Sequence, residues 1–406
     1  MSRVDRAASI DDLRAIARRR LPRFAFDFID GGAESETGLA RNRKALDEVL
    51  LAPRYLTDVT HIDMEAMLFG QSYAAPFGVA PMGFINMAWP GTDLLLARLA
   101  ARKRIPHLVS TAASTRLETL AEAAEGRAWF QIYVSSDAEL TGSVLDRAEA
   151  AGYEVLVVTV DVSAPAKRDR DIRNGLRIPF RPTPGILADL ALHPRWSIGA
   201  LRHGAPHFAN LSGQQAGAFG NMTLAEVQER LLMTSGFDWE ALKRLRGRWK
   251  GALVLKGIMR ADDAAMAAQA GCDGLVVSNH GGRQADYAPA AIEALPSIAE
   301  VCAGRMKLLF DSGVRRGADI VRARALGADF AFAGRAFAYG AAAGAEAGVA
   351  RAYEILETEL RRTLAQLGRP VFREVDGAAL AACRKDGKPI RPGSPAFRPP
   401  AIEAEG

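Results

Sequence analysis

The chain has 406 residues, 49% of them hydrophobic and 24% charged, which is the make-up of a folded, enzyme-sized protein and argues against disorder except at the ends. A formal charge of +5, with arginines scattered and no basic block interleaved with aromatics, argues against nucleic acid as a partner. Cys272, Cys302 and Cys383 show neither CxxC spacing nor a histidine pattern, so no metal site and no disulfide framework is indicated.

No run approaches the ~18 apolar residues of a membrane span. The first residues lack the pattern of a signal peptide, and a cytoplasmic location is the expectation. Residues 9 to 50 read as helices around the turn "DGGAES". Short apolar runs then recur eight times, each ending in glycine, aspartate or a polar residue and followed by helical periodicity. They are PFGVAP (76–81), HLVST (107–111), AWFQIYV (128–134), EVLVVTVD (154–161), ALVLKG (252–257), GLVVSN (274–279), KLLFDSG (307–313) and FAFAG (330–334). Runs so uniformly apolar are those of parallel strands buried on both faces. Together with predicted helices such as 137–151, 261–270 and 315–326, they predict an α/β fold, a (β/α)8 TIM barrel with N-terminal helices, as one domain over residues 1–390.

The fourth and fifth strands are separated by a long insertion, about residues 172–236, rich in Pro, Gly, Arg, His and Leu. It is expected to be a lid over the barrel mouth, a membrane-surface or oligomer contact, or a disordered stretch. After the barrel, 344–367 reads as a helix and 391–406 as a flexible tail.

In such a barrel the active site lies at the C-terminal ends of the strands, so polar residues there carry functional weight. Gln131, Tyr133, Thr159, Asp161, Lys256, His280, Arg283, Asp311 and Arg335 all fall at strand ends. His280, followed by Gly281 and Gly282 that let backbone approach a ligand closely, reads as a general base, with a packing histidine as the alternative. Arg283 offers a planar fork for a carboxylate. Gly313, Arg315, Gly334 and Arg335, after the last two strands, form the phosphate cradle common in these barrels. Asp311 could accept hydrogen bonds from a sugar-like chain. Lys256 could be a Schiff-base nucleophile, a phosphate contact or a cation beside a cofactor ring. Arg168, in "SAPAKRDRDIRNG", belongs either to a solvated helix face or to a substrate contact. The absence of a GxGxxG after an early strand and of a GK[ST] argues against NAD and ATP.

The ordered set "VLKG", "VSNHGGRQ", "FDSGVRRG" and "AGR", with "FQIYV", "TVD" and "RDRDIRN" before it, resembles the FMN-dependent L-2-hydroxy acid oxidase and dehydrogenase family over about residues 10–370. The segment "ALHPRWSIGALRHGAPHFAN" most resembles the (S)-mandelate dehydrogenase branch, whose corresponding segment mediates membrane association. The resemblance implies FMN as cofactor and an (S)-2-hydroxy acid as the small-molecule substrate, oxidised to the 2-keto acid. His280 would be the base, Asp161 its orienting acid, Arg168 and Arg283 the substrate carboxylate holders, and Tyr133 a hydrogen bond near the reacting oxygen.

It further implies that Lys256 sits by the flavin ring and that Pro81, Met82, Gly83, Ser110, Gln131, Thr159 and Ser278 contact it. Asp311 would meet the ribityl chain, and Gly313, Arg315, Gly334 and Arg335 the phosphate. In this picture Gly281 and Gly282 clear space beside the flavin. One position departs from the family. Where it has a tyrosine touching the substrate carboxylate, this chain reads "FDF", so Phe28 has no hydroxyl. With Phe26 and Met82 it suggests an apolar wall for a bulky side group. That departure leaves a non-standard substrate, or a flavin protein without turnover, as alternative readings. Gly83 resembles the glycine of dehydrogenase members, favouring quinone or another acceptor over oxygen. A homotetramer and a peripheral contact at the inner membrane face complete what the resemblance implies.

Overall fold

The computed structural model describes residues 2–134, 138–176, 183–204, 207–211 and 236–381. The tail at 391–406, Cys383 and the insertion's 177–182 and 212–235 lie outside them. The eight apolar runs form a closed parallel barrel of β1 (Phe77–Val79), β2 (His107–Ser110), β3 (Ala128–Ile132), β4 (Val155–Thr159), β5 (Ala252–Ile258), β6 (Gly274–Val277), β7 (Lys307–Phe310) and β8 (Phe330–Ala333). Each strand pairs with its sequence neighbours and β8 closes on β1. Apart from β5, which runs one residue past its apolar run, the observed strands are shorter than the runs, and the run ends that leave the ladder lie toward the barrel mouth.

A short antiparallel hairpin, Ala66–Leu68 with Gln71–Tyr73, precedes β1 and was not legible in the pattern. It plugs the N-terminal end of the barrel. Buried Tyr73 lies edge-on to Trp129 of β3, whose indole Nε1–H donates to the Tyr73 hydroxyl at 3.0 Å. Trp129, Phe330, Phe332, Leu108, Val254, Val276 and Leu309 fill the interior above it. With that end closed by aromatic packing, access is left to the C-terminal rim.

Three helices, Ile10–Arg20, Arg23–Asp30 and Thr37–Glu48, precede the barrel, as expected. Ser9 starts the first with a reciprocal capping box to Asp12. Asp30 at the end of the second is 4% exposed and ties distant parts together. It accepts from Arg14 (Nη2–Oδ2 2.9 Å), from Arg170 (2.9 Å) and from the Tyr339 hydroxyl (2.7 Å). Burial opposes its ionisation, but these bonds outweigh that and hold the carboxyl far below the usual carboxylate range. The helix expected at 344–367 starts earlier, at Arg335 directly after β8, and is broken at Gly344 and Ala345, where the backbone leaves helical angles. Within the insertion, Thr183 caps a helix Pro184–Leu192, and a second helix, Pro194–His203, follows. Cys272 and Cys302 are free and buried.

Candidate active site

The rim of the barrel opens into a cleft of about 1080 Å³, part of it open to solvent. Its lining includes Phe28, Pro81, Met82, Gly83, Tyr133, Arg168, Lys256, His280, Arg283, Asp311, Gly313, Arg315, Gly334 and Arg335. Strand ends therefore bring residues from every quarter of the chain to one place. Asp161, Ser110, Gln131, Thr159 and Ser278 stand behind this surface. Phe26 is absent from the lining: it packs near Arg14, so the apolar wall is made by Phe28, Met82, Phe84 and Ile85.

The His280 Nδ1 lies 2.8 Å from Asp161 Oδ1, which leaves Nε2 as the free nitrogen. Burial pushes the imidazole below its ordinary pKa, more than offsetting the pull of Asp161. Burial of Asp161 is in turn outweighed by His280 and Lys256, which hold its carboxyl low. The space for Asp161 comes from Gly257, a residue missed in the sequence. A β-bulge interrupts the β5–β6 register there, Gly257 has φ +107°, and a Cβ would fall 2.6 Å from that of Asp161.

Lys256, with no acid near it in sequence, meets Asp311 at 3.1 Å and donates to Ser278 Oγ at 2.9 Å. Burial alone would lower its pKa, but Asp311 and Asp161 raise it, so the ammonium stays charged. Ser278 Oγ also accepts the His280 N–H at 3.0 Å, so one hydroxyl fixes both groups. Tyr133 is pushed up to about 12, first by burial and then by Asp161, and remains a neutral donor.

In the loop after β6, Gly281 and Gly282 have φ +67° and +71°, and both approach other parts of the protein closely while Gly281 also lines the cleft. A Cβ on Gly281 would lie 2.9 Å from Arg335 Nη1, and one on Gly282 would lie 2.6 Å from the Leu39 nitrogen. Asn279 exchanges two hydrogen bonds with Asn42, at 2.8 and 2.9 Å, docking the third N-terminal helix on this loop. The Arg335 guanidinium donates to the carbonyls of Ile29, Gly281 and Gly31. Arg315 donates to the Val314 carbonyl and lies over Tyr339.

Arg283 donates to the carbonyls of Phe28 and Gly31, both at 2.8 Å, with its guanidinium 5.3 Å from the Phe28 ring centre. Burial, then Arg168 and Arg335, depress its pKa well below normal. Arg168 is depressed by burial as well, and its Nε is a buried donor without a partner among the described residues. The reading of its segment as a solvated face fits Lys167, Ile172 and Arg173, which are exposed, but Arg170 is in the Asp30 network and Asp171 is buried beside the two arginines. The cleft-lining residues include the cations Arg168, Lys256, Arg283, Arg315 and Arg335 against one carboxylate, Asp311. Such crowding of positive charge is relieved by a bound anion.

A barrel whose rim joins a carboxylate-paired histidine, a buried lysine and an excess of arginine is built as an enzyme acting on an anionic substrate. The family model described as FMN-dependent dehydrogenase matches residues 17–382, and the chain belongs to that family. It is 39% identical over 365 residues to (S)-mandelate dehydrogenase of Pseudomonas putida, covering 89% of this chain and 91% of that protein. It is 40% identical over 386 residues to a putative L-lactate dehydrogenase of Mycobacterium tuberculosis, covering 95% and 92%. The crystal structure of the monotopic membrane protein (S)-mandelate dehydrogenase superposes with a TM-score of 0.86 at 38% identity, covering 92% of this chain and 99% of that one.

The chain is thus an FMN-dependent enzyme of the 2-hydroxy acid dehydrogenase type. The donor set fits that cofactor. Gln131 donates to Thr159 Oγ1 at 3.0 Å, and its Oε1 is buried without a partner among the described residues, an acceptor that a ring N–H would satisfy. Lys256, fixed by Asp311 and Ser278, is a cation that would suit a ring gaining negative charge on reduction.

Proposed function

We propose that this enzyme oxidises an (S)-2-hydroxy acid with a bulky apolar side group to the 2-keto acid and passes the electrons to a quinone or similar acceptor more than to oxygen. The observation that carries the reading is the His280–Asp161 pair at a cleft that also holds Arg168 and Arg283 and an apolar wall of Phe28, Met82, Phe84 and Ile85. FMN, when bound, supplies the sink for the two electrons that leave the substrate. Arg168 and Arg283 hold the carboxylate, and Tyr133 donates toward the reacting oxygen. His280 takes the proton on its free nitrogen, and Asp161 stabilises the imidazolium that forms. Lys256, Ser278, Gln131, Thr159, Ser110 and the 81–83 loop are the ring-side contacts, and Asp311, Gly313, Arg315, Gly334 and Arg335 lie toward the chain and phosphate. Gly83 supports the choice of acceptor through its resemblance to dehydrogenase members.

Phe28 is the test of substrate class. Without a hydroxyl at this position one charge-assisted bond to the carboxylate is missing, worth roughly 1.5 to 3 kcal/mol. Apolar contact must supply binding that a small acid lacks. With a quinone analogue as acceptor, kcat/KM for (S)-mandelate should exceed that for (S)-lactate by about tenfold or more. Phe28→Tyr should then raise kcat/KM for lactate by about tenfold. Equal values for the two acids, or oxygen serving as well as the quinone, would contradict the reading.

The insertion supports a peripheral membrane contact. No helix of the described residues is long and apolar enough to cross a membrane. Its two helices nevertheless expose Leu187, Leu192, Ile198 and Leu201, at 54%, 79%, 49% and 84%. Exposed Arg195, Arg202 and His203 stand among them, the pairing of apolar and basic side chains that suits an anionic bilayer surface. In sedimentation with anionic vesicles, Leu192→Ser/Leu201→Ser should move the protein from pellet to supernatant, and an unchanged distribution would remove the proposal. We further propose a homotetramer, which light scattering of the detergent-free enzyme would check.

A further inference from the structure

We infer that the insertion's return stem, residues 207–211, sets the substrate-side wall of the cleft, with Phe208 as the positioning residue that holds Phe84 in place. The inference rests on the substrate reading above and names a specificity element for it.

Phe84 lines the cleft in a left-handed backbone conformation, φ 54° and ψ 28°. A bulky residue persists there when its surroundings over-determine it. Two contacts do so. In front, the Phe84 N–H donates to the Ala112 carbonyl at 3.0 Å, and a Cβ on the preceding Gly83 would fall 2.9 Å from that of Ala112. The two loops therefore touch at the cleft. Behind, the Phe208 ring meets the Phe84 ring edge to face at 4.4 Å between centres.

Phe208 is itself fixed from the barrel side. The Ala209 N–H donates to the Ala113 carbonyl at 3.2 Å, and Asn210 Oδ1 accepts the Leu117 N–H at 2.8 Å. Arg147 donates to the Asn210 carbonyl at 3.0 Å. The insertion's outgoing part holds the same wall from its other end, because Trp196 Nε1–H donates to the Met87 carbonyl at 3.1 Å, at the end of the turn Ile85–Met87. Phe84 is therefore locked by side chains drawn from well over a hundred residues away, and its placement belongs to the insertion as much as to the barrel. A substrate side group resting on Phe84 feels that support; a methyl group does not reach as much of the wall.

The test compares FMN-loaded wild type, Phe208→Ala and Phe208→Leu in anaerobic flavin reduction by (S)-mandelate and (S)-lactate. In Phe208→Ala the mandelate-to-lactate ratio of kcat/KM should fall by about tenfold or more, carried by KM for mandelate. Phe208→Leu should restore most of it, since a branched side chain refills the gap. A parallel fall for both acids in both variants, or an unchanged ratio, would overturn the inference while leaving the functional reading intact. Absence of reduction by either acid in the wild type would instead overturn the functional reading, and this inference with it.

Discussion

His280→Ala should slow flavin reduction by a 2-hydroxy acid by about a thousandfold or more, because general-base catalysis by a placed side chain contributes ~10²–10⁴ and Asp161 is left without its partner. The protein should stay yellow, since Ser278 still binds Lys256. His280 has φ 57°, which asparagine tolerates better than alanine, so His280→Asn is the companion variant that separates lost chemistry from a disturbed loop. In the wild type, burial holds the imidazole below its ordinary pKa, so the base is free at neutral pH. Acid protonates it, and kcat/KM should therefore fall along a limb lying below about 6.5, the ordinary histidine value. Variants with undiminished reduction, or a limb above that value, would remove His280 from the role of base.

Arg168→Met should lower kcat/KM by about a hundredfold, mostly through KM, while leaving thermal stability unchanged or raised. The Arg168 Nε is buried without a partner among the described residues, and burial depresses the guanidinium pKa. A desolvated guanidinium with an unpaired Nε costs folding energy that neighbouring Asp171 offsets only in part, and its worth is realised when an anion arrives. A methionine removes that cost and the substrate contact together. Arg168→Lys should recover only part of the loss, because an ammonium lacks the planar fork. A large drop in stability with Arg168→Met would mean that the side chain serves the fold and not the substrate.

The barrel was legible because strands buried on both faces have nothing to alternate, leaving eight unbroken apolar runs with their polar ends on one rim. Those ends carried most of the cleft: Tyr133, Lys256, His280, Arg283 and Asp311. What stayed hidden depends on partners that sequence does not place side by side. Lys256 and Asp311 lie on different strands, and Asp30 gathers Arg14, Arg170 and Tyr339 from both ends of the chain. A glycine pair announces close approach without saying to what: Gly281 abuts Arg335 and also lines the cleft, and Gly282 abuts Leu39. Gly257 looked like a strand terminus, yet it is the bulge that admits Asp161. The insertion's two helices did leave a signal in Pro184 and Pro194, a proline at each start, the first preceded by the capping Thr183.

The most direct test of the account is anaerobic visible spectroscopy of the FMN-loaded protein mixed with (S)-mandelate, (R)-mandelate and (S)-lactate. The account predicts bleaching of the flavin bands by the (S)-acids, faster with mandelate, and none in His280→Ala. A yellow protein that no 2-hydroxy acid bleaches would contradict it.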